Sequence, residues 1–134
     1  MTTIIFETEL KVRSYELDSF GHVNNANFLN YLEAARGDFL EKYGLSFDNF
    51  NEWKSWPVLA SIKLDYHYPA FFADLLNIRV ILKKMGKSSI IFDYEVLNQN
   101  EKMIITAETT LVFVNEKGKP MAIPTQYKDL FKES

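Results

Sequence analysis

The 134 residues contain no cysteine. That excludes disulfides, thiolate metal centres and a cysteine nucleophile, and it is compatible with a reducing compartment. Histidine is nearly as scarce. His22 and His67 are the only two, and no His-Glu-x-x-His string or facial-triad spacing is present, so no metal site is expected. No apolar run approaches the roughly 20 residues that span a bilayer. The opening stretch, MTTIIFETELKV, lacks the basic and long apolar segments of a secretory signal. A soluble, cytoplasmic protein with no membrane span is therefore expected. Positive charge is not in excess either. Lysines and acids are interspersed at a formal net charge of -3, without the basic face of a nucleic-acid binder.

What is present is apolar bulk. Hydrophobic residues make up 47% and aromatics 15%, with 11 Phe and 7 Tyr, so the chain should fold. The phenylalanines suit either a rich core or an apolar surface buried on a partner. The length allows one domain with a modest core. No repeat, linker or low-complexity segment divides it, and a single domain over 1–134 is expected.

From Ile4 to Arg13 the pattern alternates: Ile4, Phe6, Leu10 and Val12 share one side, and Glu7, Glu9, Lys11 and Arg13 the other. Period two predicts a strand with one buried face. A loop follows from about Glu16 to Val23. The stretch NNANFLNYLEAARGDFLEKYG then changes period, with Phe28, Tyr31, Leu32, Ala35, Phe39, Leu40 and Tyr43 at spacings of three and four. Asn24 or Asn25 suits the N-cap and Gly44 the stop. About 19 helical residues make a rod near 28 Å. Gly37 inside it costs about 1 kcal/mol against alanine, and can admit another backbone closely.

SFDNFNEWKSW reads as irregular, with room for a short helical turn. Four strand-like runs follow. They place on one face Val58, Ala60, Ile62, Leu64 and Tyr66; then Leu76, Ile78, Val80 and Leu82; then Ile90, Phe92, Tyr94 and Val96; then Ile105, Ala107, Thr109, Leu111 and Phe113. MGKS, NQNEK and NEKGKP are the joints, and the last three strands predict an antiparallel meander. TQYKDLFKE after Pro124 predicts a short terminal helix. One strand, one long helix and four strands disfavour a doubly wound parallel sheet. Strands of about 10 residues reach about 33 Å, close to the helix length. The expectation is an α+β fold, a five-stranded antiparallel sheet wrapped around one central helix.

Asp18, Gly21, His22, Asn24 and Asn25 crowd the approach to that helix. Read alone, the acid and amides satisfy turn and cap backbone. They also place a carboxylate beside the free N–H groups and positive dipole end of a helix N-terminus. A carboxylate in such a place can serve as a nucleophile or activate water. N–H donors from Val23, Asn24 and Asn25 can hold the oxyanion. Glu33 and Arg36 are an i,i+3 pair, with Glu33 the second candidate carboxylate. Asp65 falls on the polar side of its strand. Lys83, Lys84, Lys87, Ser88 and Ser89 form either a solvated hairpin or a phosphate contact.

The string D-S-F-G-H-V-N-N-A-N-F at Asp18–Phe28 resembles the D-x-x-G-H-V-N-N-x-x-Y signature of hotdog-fold acyl-CoA thioesterases, the 4-hydroxybenzoyl-CoA thioesterase-like family. YLEAAR at Tyr31–Arg36 is similar to its central helix, and LDYHYPAFFAD at Leu64–Asp74 to its Y-x-x-P-x-x-x-x-D connection. GKSSIIFDYEV at Gly86–Val96 and AIP at Ala122–Pro124 resemble its later segments. Phe28 departs, standing where many relatives have tyrosine, so a benzoyl-type substrate does not carry over. The resemblance implies hydrolysis of acyl-CoA to free acid and CoA. Asp18 would be nucleophile or general base, assisted by His22, Asn24 and Asn25. Phe28, Leu32 and Glu33 would line the acyl pocket. Lys84, Lys87, Ser88 and Ser89 would contact the CoA phosphates, on a partner subunit. It implies no cofactor, a homodimer or homotetramer with the site at the subunit boundary, and CoA or acyl-carrier protein as carrier. A hotdog hydratase or dehydratase fits less well, because Asp18 and His22 are four apart with no Asn-Pro between them. A non-catalytic acyl-CoA or acyl-carrier-protein binding module is the reading from another class.

Overall fold

The alternation from Phe6 to Val12 becomes an edge strand, and the three later alternating runs become the sheet's centre. In the computed structural model residues 5–130 are described, as β1 (Ile5–Lys11), a 3-10 turn (Ser14–Glu16), α1 (Asn27–Lys42), α2 (Phe47–Trp53), β2 (Trp56–Tyr66), β3 (Leu75–Met85), β4 (Ser89–Leu97), β5 (Met103–Val114) and α3 (Thr125–Leu130). The sheet order is β1-β3-β4-β5-β2, antiparallel throughout. This is the expected five-stranded α+β architecture, with the meander in β3, β4 and β5. The inward position expected for Ile4 and the end of the terminal helix lie outside the described residues.

Burial follows period two where a strand has two neighbours. Leu76, Ile78 and Val80, then Ile90, Phe92, Tyr94 and Val96, then Ile105, Leu111 and Phe113, are all buried. They meet Phe28, Tyr31, Leu32, Ala35 and Phe39 of α1. Phe39 sits edge-on to Phe6 at 5.8 Å and to Phe92 at 5.5 Å between ring centres. Each such ring contributes about 1.5–3 kcal/mol by leaving water.

Four local expectations need correction. The central helix has 16 residues, about 24 Å, because it starts at Asn27 and not at Asn24. Its N-cap is Ala26, without a side-chain cap bond. Asn24 spends its carboxamide one turn earlier, where Oδ1 accepts the Ala26 N–H at 2.9 Å. Gly44 does end the helix, at φ +75°. Second, Gly37 meets no backbone: a Cβ there would find nothing within 4 Å. Third, the segment expected to be irregular with room for a short helical turn is a helix of about two turns, α2, whose Asn49 side chain accepts the Ser46 N–H at 2.9 Å.

The fourth concerns β2. Its register on β5 slips between Leu59 and Ser61, a bulge at Ala60. A bulge exchanges the faces of the residues on its two sides. Ile62, Leu64 and Tyr66 lie opposite the inward Thr109, Ala107 and Ile105, whereas before the bulge it is Leu59 that lies opposite Leu111. Val58 therefore faces outward, away from Ile62. β2 pairs with β5 alone and leaves a free edge, on which Leu59 is 50% and Ile62 38% exposed.

Candidate active site

The Asp18 loop is a small hairpin fixed by backbone. Leu17 and Val23 form its closing bridge. The Asp18 N–H donates to the His22 carbonyl at 2.7 Å, and the Gly21 N–H to the Asp18 carbonyl at 3.1 Å. Gly21 has φ +80°, a conformation that glycine adopts without cost. The turn brings two N–H groups back onto the carboxylate: Phe20 at 2.8 Å and His22 at 3.1 Å, both to Asp18 Oδ1. Oδ2 accepts no bond among the described residues. Asp18 is exposed and lines a hollow of about 270 Å³ with His22, Asn25, Phe28, Tyr66 and His67.

The other expected site residues divide. His22 serves Asp18 through its backbone, while its ring stands edge-on to Phe71 at 5.2 Å. Asn24 braces the turn, and the Asn25 carbonyl accepts the Tyr66 hydroxyl at 3.1 Å. Two of the three expected oxyanion donors are already engaged. The Val23 N–H donates to Ala70 O and the Asn24 N–H to Glu16 O, each at 2.8 Å. An N–H committed to a protein carbonyl is not free for a substrate, so Asn25 remains. It lines the hollow, and its N–H has no partner among the described residues.

Phe28 borders the hollow, 5.9 Å from the Tyr66 ring. Leu32 lines neither opening and packs in the core. Glu33 is exposed, pairs with Arg36 and borders a second, larger cavity of about 530 Å³ with Gly37, Leu40, Phe50 and Leu111. It does not line the Asp18 hollow. Arg36 is buried and donates to the Tyr94 hydroxyl at 3.2 Å, which meets Thr109 Oγ1 at 2.8 Å.

The lysine hairpin sits at the far end of the sheet. Ser89 and Val58 are both opposite Val112, eight residues or about 26 Å along β2 from Tyr66. Lys84, Lys87, Ser88 and Ser89 are thus remote from their own chain's Asp18. Lys83 is drawn to the outer sheet face by Glu108 at 2.6 Å.

Glu16 is the residue that sequence reading passed over. It is 7% exposed. Its carboxylate accepts the Arg13 N–H at 2.8 Å, Arg13 Nη2 at 2.8 Å and the Tyr31 hydroxyl at 2.9 Å. Its carbonyl accepts the Asn24 N–H and Asn27 Nδ2, each at 2.8 Å. Burial pushes its carboxyl up, but the bonds from Arg13 and Tyr31 outweigh that and hold it below the usual carboxylate range. Burial, followed by that carboxylate, pushes the Tyr31 phenol well up. The i,i+3 spacing of Arg13 and Glu16 was the one available signal. His67, whose Nε2 lies 2.8 Å from Thr106 Oγ1, enters the hollow without having been singled out.

Among the described residues no group of three or more His, Asp and Glu side chains is placed to hold a metal. Among them, too, no helix is long and apolar enough to cross a membrane. A five-stranded antiparallel sheet on one central helix, with a loop carboxylate at the helix entry, defines a hotdog-fold protein. The model of the thioesterase-like superfamily matches residues 12–131. The long-chain acyl-CoA thioesterase FadM of Escherichia coli is 33% identical over 129 residues, covering 95% of this chain and 97% of FadM. The chloroplastic acyl-acyl carrier protein thioesterase ATL3 of Arabidopsis thaliana is 30% identical over 126 residues, 93% of this chain and 66% of ATL3, so the chain spans just under two thirds of that relative. In fold it superposes on a 1,4-dihydroxy-2-naphthoyl-CoA thioesterase from Synechocystis with a TM-score of 0.89, 20% identity and 96% of each chain covered. The chain belongs to the thioesterase-like superfamily and is an enzyme of the thioester-hydrolase class.

Proposed function

We propose that the protein hydrolyses acyl-CoA thioesters to free acid and CoA at Asp18. One observation carries this: a carboxylate fixed through Oδ1 by two backbone N–H groups, with Oδ2 unengaged, at the mouth of a hollow beside the α1 N-terminus. Asp18 accepts a proton from water, and the water oxygen attacks the thioester carbonyl carbon. Negative charge on the carbonyl oxygen is met by the Asn25 N–H and the positive end of α1. Collapse breaks the C–S bond, and the departing thiolate takes up the proton. Direct attack by Asp18 would instead break the C–S bond, expelling CoA thiolate, which takes a proton from solvent, and give an acyl-enzyme anhydride that water then cleaves to free acid and the Asp18 carboxylate. The relationship to FadM supports CoA as carrier, and the relationship to ATL3 makes acyl-carrier protein the alternative.

The site is read as dimeric. The free, apolar edge of β2 suits pairing with a second copy. Such pairing is also what would bring Lys84, Lys87, Ser88 and Ser89 toward the Asp18 of the other chain, to meet CoA phosphates.

The test is thiol release from short, long and aryl acyl-CoAs, read with a thiol-reactive dye to which a cysteine-free protein contributes no background. Asp18→Asn keeps the shape and removes the base. We expect turnover by the wild type and a loss of about 10²-fold or more in the variant. Full activity in Asp18→Asn would move the chemistry to another residue. Absence of release from every acyl-CoA would overturn the proposal.

A further inference from the structure

Asn25 offers the one N–H left for the oxyanion, and what aims that N–H comes from two elements. The peptide that carries it has the Asn24 carbonyl at its other end, and this carbonyl accepts the Asn27 N–H at 2.9 Å. In a trans peptide the two groups point in opposite directions, and no peptide bond among the described residues is cis. The Asn25 N–H therefore points away from α1, and Asn25 lines the Asp18 hollow. The other side of the residue is held from β2. The Tyr66 hydroxyl donates to the Asn25 carbonyl at 3.1 Å, across 41 positions of sequence.

Tyr66 is the last residue of β2, opposite Ile105 of β5. Its ring stands edge-on to Phe28 at 5.9 Å, and Phe28 edge-on to Tyr31 at 5.6 Å. Phe28 is 2% exposed, so the Tyr66 ring rests on a fixed wall, while Tyr66 itself is 51% exposed. A hydroxyl that exposed finds water when its protein acceptor is lost, so the bond to Asn25 adds little to stability. What the bond adds is direction. An oxyanion donor is effective because it is fixed before charge develops and needs no reorganisation during the reaction. Position 28 carries no hydroxyl that could brace the loop, and the phenol held on Asn25 is the one from Tyr66. The same strand carries the free edge, so the oxyanion donor is tied to the element read above as the dimer contact.

We propose that Tyr66 is a positioning residue of the reaction. Its hydroxyl holds the Asn25 carbonyl, so that the Asn25 N–H stays aimed at the thioester oxygen on which charge develops. This rests on the thioesterase reading above.

The test is Tyr66→Phe, which keeps a ring against Phe28 and removes the bond to Asn25. The variant should melt close to the wild type. Its kcat should fall about tenfold, less than the roughly 10²–10³-fold of deleting an oxyanion donor outright, with KM within about twofold of the wild type. The loss should be equal on butanoyl-CoA and on a long-chain acyl-CoA, because the thioester oxygen is common to both. A second readout is spectroscopic. Butanoyl-CoA labelled with carbon-13 at the thioester carbonyl is bound to Asp18→Asn, which cleaves it slowly, and the carbonyl stretch is followed by difference infrared spectroscopy. A hydrogen bond to the carbonyl lowers its frequency. The lowering seen in Asp18→Asn should shrink when Tyr66→Phe is added, a change that a merely structural role for Tyr66 would not produce. A kcat equal to wild type, a loss confined to KM or to one chain length, or a carbonyl band that Tyr66→Phe leaves in place overturns the proposal. A band at the frequency of free butanoyl-CoA in Asp18→Asn itself removes Asn25 as the donor, and the proposal with it. A wild type inactive on every acyl-CoA overturns the thioesterase reading, and the inference falls with it.

Discussion

Glu16→Ala removes the buried carboxylate that ties the turn, the Asp18 loop and α1 together. The side chain is 9% exposed, so solvent screening is slight, whereas Arg13 is 48% exposed and recovers water when its partner goes. The lasting damage is at Tyr31, itself only 2% exposed, whose hydroxyl loses its acceptor. An orphaned buried hydroxyl costs about 1–3 kcal/mol, and the lost bonds to a charged group add about as much again before relaxation. We expect Glu16→Ala to lower unfolding stability by about 2–4 kcal/mol in urea. Tyr31→Phe deletes one bond and leaves the carboxylate its two bonds from Arg13, so it should cost about 1 kcal/mol. The pH dependence supplies an independent reading. Glu16 is held below the ordinary glutamate value of about 4.3 by Arg13 and Tyr31. Its contribution is therefore complete above that value and is lost as pH falls through the lower folded pKa. The stability gap between wild type and Glu16→Gln should be constant near neutrality and close as the solution is acidified below about pH 4. A loss under about 0.5 kcal/mol for Glu16→Ala, or a gap that widens in acid, would refute the bracing role.

Two further substitutions test the loop and the edge. Gly21→Ala forces an alanine to φ +80°, costing about 1–3 kcal/mol. It should displace the N–H groups of Phe20 and His22, so that turnover falls while far-UV circular dichroism is unchanged; intact kcat would disconnect the turn from Asp18. Leu59→Lys puts a charge on the free edge of β2, a change that opposes strand pairing. It should shift the protein to the monomer in size-exclusion chromatography and abolish thiol release, and a dimer eluting unchanged would place the interface elsewhere.

The legible parts of the chain are those where local pattern and tertiary environment agree. Ile90, Phe92, Tyr94 and Val96 alternate cleanly because β4 has a neighbour on each side and one buried face. β2 does not, because an extra residue at Ala60 changes the face and no propensity marks a bulge. Asn24 looks like an N-cap, yet its carboxamide is equally suited to a turn just before the helix, and only the chain path decides between them. Asp18 stood out through its place in a motif. Glu16 did not, because an acid in a loop announces neither burial nor partners. Gly37 was legible as a cost, but no feature of its own chain explains it.

Glu16 and Asp18 are two residues apart and chemically near-identical, and the fold gives them opposite surroundings. Glu16 uses both carboxylate oxygens on donors of its own chain and has almost no contact with solvent. Asp18 uses one oxygen on backbone and leaves the other toward water and the hollow. A carboxylate satisfied on all sides anchors; one fixed through a single oxygen is oriented and still able to accept a proton or attack. The link between them is direct, since the Glu16 carbonyl holds the Asn24 N–H and so fixes the end of the loop that carries Asp18. Exchanging the two acids should therefore not conserve function even though it conserves charge. The longer glutamate at 18 would move its oxygens away from the Phe20 and His22 N–H groups, and the shorter aspartate at 16 would fall short of Tyr31.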